Sequence, residues 1–346
     1  MWDLPMLTVY SSKHKLHHGI ELKDGVLSPS FENPQRAETV LARVHATALG
    51  DVISGRTYER TCYVAAHSER YINFLENAWQ EWAATGRTHD ALPLVWPVRN
   101  LAGDREPEFI DGKLGFYAMD AGAPIKADTW QAVRSSADVA LTGADLVLGG
   151  AHGAFALCRP PGHHAAREYM GGYCYLNNAA IAAERCLASG CEKVAVLDVD
   201  FHHGNGTQSI FYNRQDVFFS SIHGEPAVSY PYFSGYADET GTGQGEGFNL
   251  NLPLAKGSGW QTYQPALKTA LDAVKRFGPD VLLISLGLDT FEGDPISHFR
   301  LTSSDFIRVG QEITRAGIKT LFVMEGGYMV DEIGINCVNV LVGYES

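Results

Sequence analysis

The sequence predicts an α/β fold built on an open, mostly parallel sheet with helices on both faces. Three observations carry this. Strand-like and helix-like segments alternate along the chain. The run at 193–199 is short and mostly apolar, the pattern of a strand covered on both faces. With 346 residues, 45% of them hydrophobic, the chain can bury a core large enough to hold such a sheet in a single domain spanning residues 1–346.

The elements follow in order. A short strand is expected around residues 7–10. Apolar residues recurring at helical spacing predict helices over 34–49, 68–84, 128–148, 178–188, 260–277 and 304–316. Between them, apolar runs predict strands over 154–158, 194–200, 217–222, 248–252, 281–286 and 320–324. One segment breaks the rhythm. Residues 85–127 are rich in Pro, Gly and charge, with Trp96, Phe109, Phe116 and Tyr117 set among Asp104, Glu106, Glu108 and Asp111. A stretch that long without periodicity is functional or disordered, and its aromatics favour an ordered loop packed on something.

Composition narrows the function. A formal charge of -13 disfavours nucleic acid and anionic membranes as partners, which need clustered Lys and Arg, and favours a cationic substrate. No apolar run is long enough to span a bilayer and the start of the chain carries no basic leader, so a cytoplasmic protein is expected. The six cysteines are scattered with no CxxC pair, which suits reduced thiols better than a disulfide framework or a thiolate metal site.

The chemistry is concentrated where strands end. Residues 193–199 read as a buried strand followed by Asp200-Phe201-His202, a carboxylate and an imidazole two residues apart and therefore on one side of the chain. A second strand, 281–288, ends in Asp289. Two carboxylates and one imidazole leave a coordination position open, the mark of a catalytic rather than a structural metal. Each acid alone reads more readily as a cap of the helix that follows its strand than as a ligand, whereas together with the residues below they favour a metal. His163 and His164 follow Arg159-Pro160-Pro161-Gly162, a rigid turn at another strand end, and Tyr328 follows Glu325-Gly326-Gly327 after the last strand, where it can serve as an oxyanion donor.

Taken together, RPPGHHA (159–165), GGYCYLNN (171–178), DVDFHHGNGT (198–207), LGLDTFEGDP (286–295) and EGGY (325–328) resemble the histone deacetylase superfamily, and within it the bacterial acetylpolyamine amidohydrolases, in the same order over nearly the whole chain. The resemblance implies the arginase/deacetylase fold and zinc-dependent amide hydrolysis releasing acetate, with iron(II) a possible substitute. It implies Asp200, His202 and Asp289 as metal ligands, His164 as general base and acid, His163 as its electrostatic partner and Tyr328 as oxyanion donor. Asp198 matches the residue that orients His163 and, with Ser221 and the backbone at Ile222, a structural potassium site. Gly172, Tyr173 and Tyr230 match the walls of a narrow substrate channel, and Arg36 an arginine near an acetate pocket. The 85–127 insertion occupies the place of an active-site gate and homodimer contact, with Asp111 in the position of a gate acid, although shorter than the glutamate of the pattern. A second gate position is Gly122, with Asp120 two residues away. Asn205 stands where some relatives carry an Asp facing the second histidine. The expected substrates are acetylputrescine, acetylcadaverine and acetylspermidine; the competing readings are a lysine deacetylase acting on peptides or proteins and a metal-holding sensor of acylated amines.

Overall fold

The computed structural model describes residues 6–23 and 25–346. Its strands are β1 (Leu7–Tyr10), β2 (Ile20–Lys23), β3 (Val26–Pro29), β4 (Val52–Ser54), β5 (Gly153–Ala156), β6 (Val194–Asp198), β7 (Val217–Gly224), β8 (Asn249–Leu254), β9 (Val281–Leu286) and β10 (Thr320–Met324). Its helices are α1 (Pro34–Thr47), α2 (Thr61–Val64), α3 (Glu69–Ala84), α4 (Ile110–Phe116), α5 (Thr129–Leu148), α6 (Asn178–Ala188), α7 (Asn205–Phe211), α8 (Trp260–Phe277), α9 (Ser303–Thr314) and α10 (Val330–Glu345). Eight strands form one sheet in the order β4-β1-β5-β10-β9-β6-β7-β8, with every pairing parallel. The remaining two, β2 and β3, form an antiparallel hairpin.

Successive side chains of a strand point to opposite faces, and the two cores divide accordingly. On β6, Val194 and Val196 join a cluster with α3, α5 and α6, whereas Ala195 and Leu197 join the opposite cluster with α1, α8, α9 and α10. On β9 the same alternation sends Val281 and Leu283 one way and Leu282 and Ile284 the other. Both faces are therefore covered, which is why the central strands read as unbroken apolar runs. Among the described residues no helix is long and apolar enough to cross a membrane.

Helix ends follow local chemistry. Asn33 and Ser68 accept hydrogen bonds from the first-turn amides of α1 and α3, and Thr302 and Asp305 close a reciprocal capping box on α9. The 85–127 segment is tied at its base by paired backbone bonds between Ala91 and Ile125, of 2.9 and 3.0 Å. Ile110, Leu114, Tyr117 and Ala123 anchor its second half in the core, while Leu94 and Val98 of its first half, and Phe109, are exposed.

The parallel arrangement brings the carboxyl ends of β5, β10, β9 and β6 side by side. All the sequence motifs singled out above except the 171–178 segment begin at these four ends.

Candidate active site

Asp198 closes β6, and the chain beyond it turns so that Asp200 and His202 face Asp289, which lies three residues past β9. The three candidate donors lie within 4.8 Å of one another and all are buried. His202 Nδ1 is 2.9 Å from Asp289 Oδ2 and 3.3 Å from Asp200 Oδ1. Backbone amides hold the carboxylates from behind: Gly326 N–H donates to Asp200 Oδ2 at 2.8 Å and Phe201 N–H to Asp289 Oδ1 at 2.8 Å. Gly326 has no alternative, because a Cβ there would lie 2.5 Å from Asp200 Oδ2 and 2.8 Å from Asp289 Oδ2. Gly327 is needed for a different reason, its φ of 116°.

This donor set fits a divalent cation. Burial and the neighbouring charge of Asp200 push the Asp289 carboxyl up, while the facing His202 ring pulls it down. Two hard carboxylate oxygens and an imidazole converging on one point are donors that a divalent cation accepts, and His202 also lines the cavity.

His163 and His164 stand beside this group, their rings 4.0 Å apart between centroids, in environments that separate their roles. His163 Nδ1 is 2.9 Å from Asp198 Oδ2. Burial alone would lower its basicity, but the Asp198 and Asp200 carboxylates override this and raise it to about 10. His164 Nδ1 instead meets the neutral amide oxygen of Asn205 at 2.6 Å. Burial, followed by the charges of His163 and His202, pushes its pKa well below the usual range, so its ring is neutral. The turn carrying both is braced from β10. Glu325 accepts from the Gly162 and His163 amides at 2.6 and 3.1 Å, and burial lifts its own pKa to about 7.

Tyr328 completes the floor. Its amide donates to Asp294 at 2.7 Å, and burial holds its hydroxyl well above the normal phenol pKa, so it stays protonated. Arg36 lies 4.8 Å from its ring centroid and donates to the carbonyls of Glu325 and Gly327, while Glu32 pairs with Arg36 at 2.9 Å and Arg159 at 2.7 Å. Ser221 is in register opposite Asp198 on the neighbouring strand, and its hydroxyl lies 2.8 Å from His223 Nδ1; Ile222 is fully buried one residue on.

Above the floor is a cavity of about 440 Å³, lined by His164, His202, Tyr328, Gly172, Tyr173 and Tyr230 and also by Asp120–Gly122, Glu21–Lys23, Phe31, Tyr232 and Ile296. The Tyr230 ring meets His164 edge-on at 5.2 Å, and the rings of Tyr173 and Tyr328 are 5.5 Å apart. Tyr173 is held at a φ of 68°, a costly conformation for a bulky residue, with its hydroxyl donating to Glu21.

One expected lining residue lies elsewhere. Asp111 is absent from the cavity wall; it sits in the first turn of α4 and pairs with Arg87 at 2.5 Å, whose guanidinium stacks on Trp82. The acid that does reach the cavity from the insertion is Asp120, accepting from Gly122 N–H at 2.9 Å, Gly172 N–H at 3.1 Å and the Tyr230 hydroxyl at 2.7 Å.

Sequence reasoning also passed over Glu21, Leu22, Lys23, Phe31, Tyr232 and Ile296. The first three lie on the β2–β3 hairpin, for which the Asp24-Gly25 dipeptide was an available signal.

The histone deacetylase domain family matches residues 30–342. The chain belongs to the histone deacetylase family. It is 58% identical to acetylpolyamine amidohydrolase 2 of Pseudomonas aeruginosa over 341 residues, covering 98% of this chain and 99% of that protein. It is 48% identical to the acetylpolyamine amidohydrolase of Mycoplana ramosa over 339 residues, 98% of this chain and 99% of the other. The crystal structure of acetylpolyamine aminohydrolase from Burkholderia pseudomallei superimposes with a TM-score of 0.93 at 37% identity, over 99% of both chains. The chain is thus an enzyme with the arginase/deacetylase fold of this family of hydrolases.

Proposed function

We propose that the protein hydrolyses the acetamide bond of acetylated diamines and polyamines, such as acetylputrescine, acetylcadaverine and acetylspermidine, to acetate and the free amine. The observation that carries this reading is the cavity: tyrosines line it together with His164, Tyr328 and His202 of the Asp200–His202–Asp289 group, and the acids Glu21 and Asp120 line it too. Aromatic faces on either side suit a slim methylene chain, and the acids suit a cationic end.

Asp200, His202 and Asp289 would hold the divalent ion, zinc in this reading with iron(II) able to use the same donors. When bound, the ion supplies Lewis acidity toward the acetyl carbonyl and the attacking water. Neutral His164, its Nδ1–H fixed on Asn205, presents Nε2 as the base that takes the proton of that water. As the carbonyl oxygen becomes anionic, the protonated Tyr328 hydroxyl donates to it. His163, kept cationic by Asp198, stabilises the developing negative charge, and the proton taken up by His164 passes to the departing nitrogen as the C–N bond breaks.

The reading extends beyond the floor. A potassium ion beside Asp198, drawing on Ser221 and the backbone at Ile222, would fix the His163 carboxylate partner. Arg36 belongs to the pocket that receives acetate. The chain forms one domain, and residues 85–127 contribute a gate and the contact of a homodimer in the cytoplasm. Exposed Leu94, Val98 and Phe109 support such a contact.

The test is a deacetylation panel on purified, metal-analysed protein, comparing acetylated diamines and acetylspermidines with acetyl-lysine peptides. Higher kcat/KM for the small amines is expected. Preference for the peptides would replace this substrate assignment with a protein deacetylase.

A further inference from the structure

We propose that the β2–β3 hairpin sets the charge pattern of the substrate tail, with Glu21 receiving one distal ammonium and Lys23 disfavouring a second cation beyond it. This inference rests on the amine substrates proposed above. The two acids of the cavity differ in a way that singles out Glu21. Asp120 is engaged by two backbone amides and the Tyr230 hydroxyl. Glu21 is 94% buried and only its Oε2 is used, by the Tyr173 hydroxyl; Oε1 has no hydrogen-bond partner. A buried carboxylate oxygen without a donor is costly to leave unpaired. A charged amine arriving along the tyrosine-walled cavity, which Glu21 lines, supplies that carboxylate with its counter-charge.

Lys23 lies two residues along the same strand, so on the same side of it, and also lines the cavity. Its Nζ sits 4.3 Å from the centroid of the Phe31 ring. Phe31 is a cavity wall residue, so the lysine occupies the aromatic face on which a second substrate cation would rest, and repels that cation as well. A tail carrying one ammonium satisfies Glu21 without reaching this charge, whereas a longer polycation meets it.

The test measures kcat/KM of the metal-loaded enzyme, at fixed ionic strength, for N-acetylcadaverine, N8-acetylspermidine and N-pentylacetamide, whose tail is neutral. Glu21→Gln keeps an acceptor for Tyr173 and removes the charge. It is expected to lower the ratio of N-acetylcadaverine to N-pentylacetamide by about tenfold or more, as loss of one member of a desolvated charge pair requires. Lys23→Gln, at an exposed position, is expected to raise N8-acetylspermidine relative to N-acetylcadaverine severalfold. An equal loss for charged and neutral tails in Glu21→Gln, or an unchanged spermidine ratio in Lys23→Gln, overturns the proposal. If the wild-type enzyme cleaves no acetylated amine, the broader function fails instead. Calorimetric binding of cadaverine then decides on the hairpin: weaker binding by Glu21→Gln supports it, equal binding refutes it.

Discussion

His164 Nδ1 lies 2.6 Å from Asn205 Oδ1, so the catalytic candidate that must stay neutral is oriented by an amide and not by a carboxylate. The amide's other end is committed: Asn205 Nδ2 donates to the Tyr169 hydroxyl at 3.2 Å and contacts Met119 Sδ at 3.3 Å, which fixes the oxygen toward the imidazole. Exchanging Asn205 for Asp introduces a negative charge against Nδ1 and favours the imidazolium. The pKa of His164 should rise. Because the base must be unprotonated, the acidic limb of the kcat/KM profile moves to higher pH. Profiles of wild type and Asn205→Asp that coincide would separate His164 from the base role.

Ligand and donor roles can be separated by counting metal. Tyr328→Phe removes a hydroxyl but none of the three metal donors, so the variant should bind a full equivalent of zinc while kcat drops by about two to three powers of ten. Asp200→Ala removes a donor and its charge, and should lose zinc on dialysis. Equal metal loss by both variants contradicts the division of labour.

What the sequence disclosed and what it hid have physical causes. The central strands were legible because both of their faces are buried, and the candidate ligands were legible because a parallel sheet places its strand ends on one edge. The C-terminal helix α10 was passed over: it is buried by Ile333, Cys337, Val338, Val340, Leu341 and Tyr344, and a helix covered on most sides has little amphipathic contrast to detect. The hairpin was missed because two four-residue strands carry only a weak alternating signal. Asp111 misled for a different reason. Its place in the order of motifs gave no sign that Arg87 would neutralise it outside the cavity.

His67 gives a stability prediction in acid. Its Nδ1–H donates to the Ala166 carbonyl at 2.8 Å and its Nε2 accepts the Asn177 amide at 2.9 Å, so the ring links the His164 loop to the N-terminus of α6 only while neutral. Burial lowers its pKa from 6.5 to about 4. Between those values the unfolded chain binds the proton and the folded chain does not, so stability falls as pH decreases from about 6.5 toward 4. The largest contribution from this one group is roughly 3 kcal/mol. Denaturant unfolding of wild type and His67→Gln across that range checks it: the wild-type slope should be the steeper.

The most demanding position to alter is Glu32. Its single carboxylate lies between two fully buried guanidinia, Arg36 and Arg159, and despite its burial those cations hold its pKa below the usual carboxylate value. Arg36 in turn holds the carbonyls on either side of Gly326 and packs against the Tyr328 ring, so the ion cluster supports the loop that carries the oxyanion donor. Glu32→Gln preserves shape and a hydrogen-bond acceptor but leaves two buried positive charges without an anion. The expected cost is about 3–5 kcal/mol of unfolding free energy, as for breaking other buried pairs by removing one partner. Chemical denaturation measures it directly. A loss below about 1 kcal/mol, the scale of exposed ion pairs, would mean that water reaches the cluster and that the Tyr328 loop is held by its backbone contacts instead.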